Sequence, residues 1–428
     1  MNSAFKNERI PKAVNFTMKE KLNNFDIIII GGGAAGFFTA INLAENNPNL
    51  KIIILERGSE VLTKVRVSGG GRCNVTHAEF IPNELIQNYP RGEKELLGPF
   101  HTFMTGDTIE WFDKRGIPLK IEADGRMFPE SNSSQTIIDC FINESERLGV
   151  EVLKNHSVKK IKKENDYWTL ETEKGDFTSE KLIITTGSSS KIWDLIENLG
   201  HTIIPPVPSL FTFNIQDNRI KDLPGIASQA SVKIISDKIK LESEGPLLIT
   251  HWGLSGPAIL KLSAWGARGL EEVNYQFKLQ VNWLYDISKE EVVESLKELK
   301  ATNSKQTLYK YAQFGVSKRL WQSLLHASEI TESQKWAETT NKQFQELSNQ
   351  LTQSIFQVNG KSTFKEEFVT AGGVDLKEID FKHFSSKLHK NLYFAGEVLN
   401  IDAITGGFNF QNAWTGGFIV AKSISGNS

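Results

Sequence analysis

Asp26-Ile27-Ile28-Ile29-Ile30-Gly31-Gly32-Gly33-Ala34-Ala35-Gly36 is the stretch on which the reading of this chain turns. The apolar run that begins at Phe25 and ends at Ile30 lacks polar alternation, as a strand buried on both faces of a parallel sheet does. The glycines then fall where such a strand must turn sharply into a helix. In that place Gly31 permits the tight turn, Gly33 lets backbone amides approach a pyrophosphate, and Gly36 lets the helix lie close on the strand. Ala34 and Ala35 keep the first helical turn small, and the N–H groups there favour a bound anion. A second apolar run ends at Glu56, about 20 residues beyond Gly36, where a carboxylate accepts hydrogen bonds from a ribose 2′-hydroxyl and disfavours a 2′-phosphate. Arg57, beside it, joins the expected contacts. Strand, glycines, helix and terminal acid in this order predict a dinucleotide cradle. The motif alone does not choose between NAD and FAD.

Working outward, 428 residues give a prior of about three domains, and 39% hydrophobic content is ample for real cores. The formal charge is only -2, from 49 basic and 51 acidic residues, so no net field recruits nucleic acid or an anionic membrane, and neither partner is expected. A small-molecule substrate is the better expectation. Cys73 and Cys140 are far apart and form no Cys-x-x-Cys, which predicts neither a disulfide framework nor a dithiol relay and fits a reducing cytoplasm. No run of 18 or more apolar residues predicts a membrane span. Residues 1–24 read as a polar N-terminal extension, and Met18 offers an alternative start. The sequence contains no Ser/His/Asp order, no His/Cys spacing suited to a metal and no phosphate loop ending in Gly-Lys-Ser/Thr, so hydrolysis is not predicted and no metal is expected.

A long loop follows Glu56 and carries a second glycine cluster, Ser68-Gly69-Gly70-Gly71-Arg72-Cys73-Asn74, too polar and glycine-rich for the interior of a helix or strand. Helical patterns follow at 94–114 and 135–148, then strands at 150–153, 157–163, 167–171 and 181–185, the last running into Thr186-Gly187. From about His201, short alternating strands and frequent prolines predict a small antiparallel barrel. Residues 288–353 turn charged and amphipathic, which predicts helices. The α/β texture then returns in a strand at 368–374, a strand at 391–395 running into Gly396-Glu397, and Gly406-Gly407 before a helix that begins near Phe410. The fold expected is therefore α/β, with a Rossmann-like domain built from both chain ends (25–195 and 362–428), an inserted antiparallel β-barrel domain (196–285 and 354–361) and a helical insert at 286–353.

Such a split favours FAD, because enzymes of this type close the nucleotide domain with C-terminal chain and cradle the ring system. Reducing an isoalloxazine develops negative charge, and a helix N-terminus supplied by Gly406, Gly407, Phe408 and Asn409 stabilises it without a lysine. Six blocks then carry a resemblance that covers nearly all of the chain after Asn24: GGGAAG at Gly31, SGGGRCNVTH at Ser68, GRMFPES at Gly125, THWGLSGPA at Thr250, VTAGGVDLKEID at Val369 and LYFAGEVLNIDAITGGFNFQNAW at Leu392. With them the chain resembles the bacterial BaiN-like (YhiN-type, aminoacetone-oxidase-family) NAD(P)/FAD-dependent flavoproteins. The resemblance implies non-covalent FAD and a three-part architecture of FAD domain, barrel and helical insert. This chain departs from that pattern at Leu62-Thr63, where the family shows Gly-Arg before the lysine matching Lys64, and in the shortened stretch after Thr186-Gly187. It departs again at Phe381, His383, Phe384 and Ser385.

The loop from Ser68 to Asn74 is expected to wrap the middle of the flavin, with Arg72 as a fixed cation and Cys73 as a packing residue. Glu397, after a strand and Gly396, is placed to hold the ribityl chain or a pyrophosphate-side water network. Asp402 and Asn409 either bond the flavin or fix their loop. His251 and Trp252, with Ser255 nearby, are the weak candidates for a substrate-facing group, against the plainer reading of a core histidine. The expected function is hydride transfer between a small organic substrate and FAD. No second strand-GxGxxG-helix is present, so NAD(P)H enters this reading as a transient donor. Two alternatives stand beside it: an oxidase passing electrons from an amine to dioxygen, and a redox sensor or RNA-associated flavoprotein, which lacks a basic, aromatic-interleaved tract.

Overall fold

The computed structural model describes residues 23–363 and 369–426, so residues 1–22 of the expected extension and Phe368 of the expected strand lie outside the described residues. Strand β1 (Asn23–Ile30) is central to a parallel array and buries Ile27 to Ile30 almost completely. It turns through the glycines into helix α1 (Ala34–Asn46), and the chain returns as β2 (Ile52–Leu55), parallel to β1 with Ile27 opposite Ile52. The strand Gly175–Ile184 pairs on the other side of β1, and Leu392–Phe394 adds beyond it, also parallel, with Leu392 opposite Leu182. The final helix, Phe408–Ile424, packs along α1. Both chain ends therefore build one α/β layer, because the apolar runs they contribute are covered only when they lie side by side.

A second core begins at Phe211. Seven antiparallel strands form its sheet, and the two strands at its ends, Ser354–Asn359 and Lys361–Ser362, are joined only by Gly360. The Gly360 carbonyl accepts the Asn214 N–H at 3.0 Å, so the sheet curls back on itself as a barrel. Between the two cores runs a two-stranded ribbon, Ile203–Pro208 against Thr370–Val374, whose register slips between Ile204 and Val207 because Pro205 and Pro206 have no N–H to donate. Ile192, Trp193 and Ile196, on the helix Ser190–Glu197, belong to the first core.

Two local expectations need correction. The helical pattern at 94–114 is two helices, Glu93–Phe100 and Thr105–Asp113, because the Asp107 carboxylate caps the Met104 N–H at 2.8 Å and starts a new one. The long loop after Glu56 contains a helix from Thr63, and the chain leaves helical geometry only at Ser68 (φ −62°, ψ 146°) and at Gly69 and Gly70, both left-handed. No helix among the described residues is long and apolar enough to cross a membrane.

Candidate functional site

A cavity of about 1100 Å³ runs between the α/β layer and the barrel. Its floor is the turn after β1. Gly31 sits at φ +111°, and a Cβ there would lie 2.7 Å from the Thr185 carbonyl oxygen; a Cβ on Gly36 would lie 2.1 Å from that of Gly31. Glycine is required at both by contact with backbone. Gly33 differs, since a Cβ built on it meets no atom of the other described residues within 4 Å, its chain neighbours aside, and would project into open space at the N-terminus of α1. The N–H groups of Ala34, Ala35 and Gly36 have no acceptor within the helix, so this end of the cavity favours negative charge.

Glu56 lies on the same wall, held by the Gly32 N–H at Oε2 (2.8 Å) and the Gly58 N–H at Oε1 (2.7 Å). Each oxygen keeps a further lone pair for a ribose hydroxyl. Arg57, Thr186 and Gly187 also line the cavity. The hydroxyls of Thr186 and Ser189, both on this wall, are buried without a partner among the described residues, which a ligand bearing hydroxyls or phosphates would relieve. Bare helix terminus, anchored acid and orphaned hydroxyls together fit a dinucleotide. The volume exceeds the roughly 300–1,000 Å³ usual for small-ligand pockets.

Further along, Lys64, the lysine that matches the family's, reaches the expected Glu397 at 2.5 Å, and the two form one ion pair on the cavity wall beside Gly396. Ser68, Gly69 and Asn74 also face the cavity. With its amide oriented to satisfy both ends, Asn74 accepts the Gly407 N–H at 3.0 Å and so ties the glycine-rich loop to the start of the final helix. Gly407 (φ +97°) caps that helix, and a Cβ on it would lie 2.5 Å from the Thr76 carbonyl. Gly406 and Asn409 line the same end; Asn409 spends its amide on both backbone groups of Ala403, which fixes the loop.

Several expected contacts lie elsewhere. Gly70, Gly71, Arg72 and Cys73 turn off the cavity wall, as does Gly36, whose place is the helix–strand contact. Arg72 bonds Glu122 at 2.6 Å and lies 3.9 Å from the centroid of the Phe128 ring, so its charge is paired within the protein. The Cys73 thiol is fully buried, and burial pushes it up to about 12, which leaves no thiolate at neutral pH. Asp402 is completely buried and bonds both Arg91 and the Ser209 hydroxyl. Phe408 is buried against the His77 ring. His251 and Trp252 are exposed on the turn before Gly253, and neither reaches the main cavity; His251 lines only a small outer hollow. Thr250, next to them, does face the cavity, as do Thr212 and Ser255, joined by a 2.9 Å hydrogen bond.

Reading the sequence missed His77 and Arg126. Both line the cavity, and both stood inside quoted blocks, SGGGRCNVTH and GRMFPES. His77 Nδ1 lies 3.0 Å from the Gly406 carbonyl oxygen, which can only accept, so that nitrogen carries the hydrogen. The signal available was position: His77 ends one block and Arg126 stands second in the other, each block otherwise explained by glycine.

The family model described as the HI0933-like protein Rossmann domain matches residues 25–423. Among curated proteins, the ribosomal RNA dihydrouridine synthase of Escherichia coli is 28% identical over 94% of this chain and 98% of its own length. The Haemophilus influenzae protein of the same name is also 28% identical. The 3-dehydro-bile acid delta(4,6)-reductase of Clostridium scindens is 25% identical over 93% of this chain and 98% of its own. Among solved structures, the 3-ketosteroid delta1-dehydrogenase of Sterolibacterium denitrificans, in complex with 1,4-androstadiene-3,17-dione, shares the fold with a TM-score of 0.50 at 11% identity, covering 95% of this chain and 100% of that one.

Proposed function

The chain belongs to the HI0933-like Rossmann family and is an FAD-dependent oxidoreductase; we propose that its reaction moves a hydride to or from a carbon–carbon bond conjugated to a carbonyl of an organic substrate, with NAD(P)H as transient donor. One relative is named for making dihydrouridine and another for reducing the Δ4,6 bonds of a 3-dehydro bile acid, and in both the bond saturated is conjugated to a carbonyl. The observation that carries the reading is the cavity itself, with a dinucleotide cradle along one wall and the barrel along the other.

In this reading residues 25–195 and 362–428 hold the cofactor, and 196–285 with 354–361 face the substrate, buttressed by 286–353. The α1 N-terminus and Gly33 take the pyrophosphate, Glu56 a ribose, Lys64 and Glu397 the middle of the ligand, and the Gly406–Asn409 turn the ring end. When bound, FAD supplies two-electron chemistry by accepting or giving a hydride. Leu210, Phe211, Leu248 and Leu260 offer an apolar wall for the carbon skeleton of the substrate, while Thr212, Thr250 and Ser255 orient its polar groups.

The test is anaerobic. Holoprotein mixed with NADH or NADPH should lose its visible flavin absorbance and regain it on addition of 2-cyclohexenone. Failure of both nucleotides to bleach the flavin rules out nicotinamide donors, and failure of the enone to restore the colour rules out the carbonyl-conjugated substrate. Colour restored only by air, with peroxide released, favours an oxidase instead.

The two rRNA-named relatives favour a second reading, in which the conjugated bond belongs to a uracil in ribosomal RNA and the expectation of no nucleic-acid partner is wrong. Mass spectrometry of nucleosides from rRNA of cells lacking this protein decides it. Unchanged dihydrouridine content removes the RNA reading.

A further inference from the structure

Resting on the carbonyl-conjugated reading above, we infer that Arg126 binds the carbonyl oxygen of the substrate, its guanidinium fixed for that purpose by Asp124 and Glu122. Arg126 opens the strand Arg126–Pro129 and lies opposite His77 in the register, one step from the Thr76–Met127 pair. Thr76 is the residue whose carbonyl Gly407 packs against, and His77 is held to Gly406. Arg126 therefore enters the cavity at the end where the final helix begins.

Four cations line this cavity among the described residues: Arg57, Lys64, Arg126 and Lys191. Lys64 is engaged by Glu397, Arg57 follows Glu56 at the cradle, and Lys191 lies beside Ser189 on that same side. Arg126 is the one paired in register with His77, the residue held to the Gly406 carbonyl oxygen. Its Nε donates to Asp124 Oδ2 at 2.7 Å and its Nη2 to Glu122 Oε2 at 3.4 Å, while Nη1 has no protein partner among the described residues. The side chain is 39% exposed, so that edge of the fork is open to a ligand.

A plain surface salt bridge is the rival account. Yet both acidic partners sit two and four residues away on the same hairpin, so these ion pairs join no distant elements and add little to the fold. What they do is restrict the guanidinium. Glu122 also bonds Arg72 at 2.6 Å, and both arginines lie near the Phe128 ring, at 3.9 and 5.5 Å from its centroid, so the group that orients Arg126 is itself held on its far side.

The chemistry needs such a donor. Saturating the conjugated bond adds one hydride, from the reduced cofactor, to the carbon β to the carbonyl, and one proton, from water, to the α carbon; the π bond is lost and the cofactor is oxidised by two electrons. Between those two additions the electron pair rests largely on the carbonyl oxygen. A planar, permanently charged fork already aimed there stabilises it without reorganising.

The test uses holoprotein and a non-reacting probe, p-chlorophenolate, whose oxyanion imitates that charged oxygen and whose binding is read as a change in flavin absorbance. Arg126→Gln should keep its FAD and bind the phenolate roughly 10²-fold more weakly, with a similar loss in the rate at which 2-cyclohexenone reoxidises the flavin. Arg126→Lys keeps the charge but not the fork, and should lose about 10-fold. It also decides the matter if Arg126→Gln sheds FAD. Unchanged phenolate affinity in a variant that retains FAD overturns the inference. If wild-type protein binds the phenolate through Arg126 but does not reduce the enone, the oxyanion site stands and the reading of the reaction falls.

Discussion

Gly33 and Gly36 stand three residues apart in one motif and do different jobs. Gly36 is a packing residue, and Gly36→Val forces a side chain against the Gly31 carbonyl, so it should destabilise the FAD-free protein by about 1–3 kcal/mol or more, measured by thermal unfolding. Gly33 faces open space. Gly33→Asp places a good N-cap and a negative charge at the α1 terminus; the FAD-free protein should unfold no earlier, while FAD affinity drops at least ~10-fold. Loss of stability without loss of affinity would contradict this division. Cys73 carries a second prediction. Its folded thiol holds its proton up to about 12 against an ordinary 9.0, so its share of stability is complete below pH 9.0 and is lost as pH rises toward 12. A thiol titrant should find Cys73 unreactive in the native protein at neutral pH, and Cys73→Ala should flatten part of the alkaline fall in stability.

At the scale of elements, the decisive contact is one that sequence patterning does not reveal. Arg91, just ahead of the helix Glu93–Phe100, donates to both oxygens of Asp402, to the Ser209 hydroxyl and, at 2.7 Å, to the Ala264 carbonyl on a barrel helix. Four segments from three parts of the chain meet at one guanidinium. Burial has the larger effect and pushes the Asp402 carboxyl up from its ordinary value, while the hydrogen bonds and charge of Arg91 pull against that shift. Asp402→Asn leaves the arginine without its counter-charge and should destabilise the protein by about 3–5 kcal/mol in a denaturant titration. A change below ~1 kcal/mol would mean the pair is dispensable. Sequence reading left Asp402 either to bond the flavin or to fix its loop because only the chain position of the carboxylate was visible, and its partners lie 311 and 193 residues away.

At the scale of the whole molecule, the barrel and the helices of 286–353 are one body. Val292, Leu296, Leu320, Leu324 and Leu351 share a core with Phe277, Leu279 and Val281, and the Leu351 carbonyl accepts the Trp283 N–H at 2.8 Å. Replacing 286–353 by a short linker should therefore leave the barrel unable to fold, seen as loss of soluble protein and of its cooperative transition. A soluble, FAD-binding product would show the helices to be a true appendage. The change of texture at residue 288 marks a change from strand to helix and not a boundary between cores.

The sequence by itself determined the cradle. A buried strand, a glycine turn, a helix start and a terminal acid are all local requirements, written within about 30 residues of one another, and the chain-end glycines and the return of apolar strands made the α/β layer legible too. What only the tertiary structure decided was the direction of side chains in irregular segments. His251 and Trp252 point outward and His77 and Arg126 point inward, although all four sit in equally conspicuous blocks. Period and propensity fix which face a residue takes in a helix or strand, but on a turn that orientation is set by partners far away in the chain, and no spacing records them.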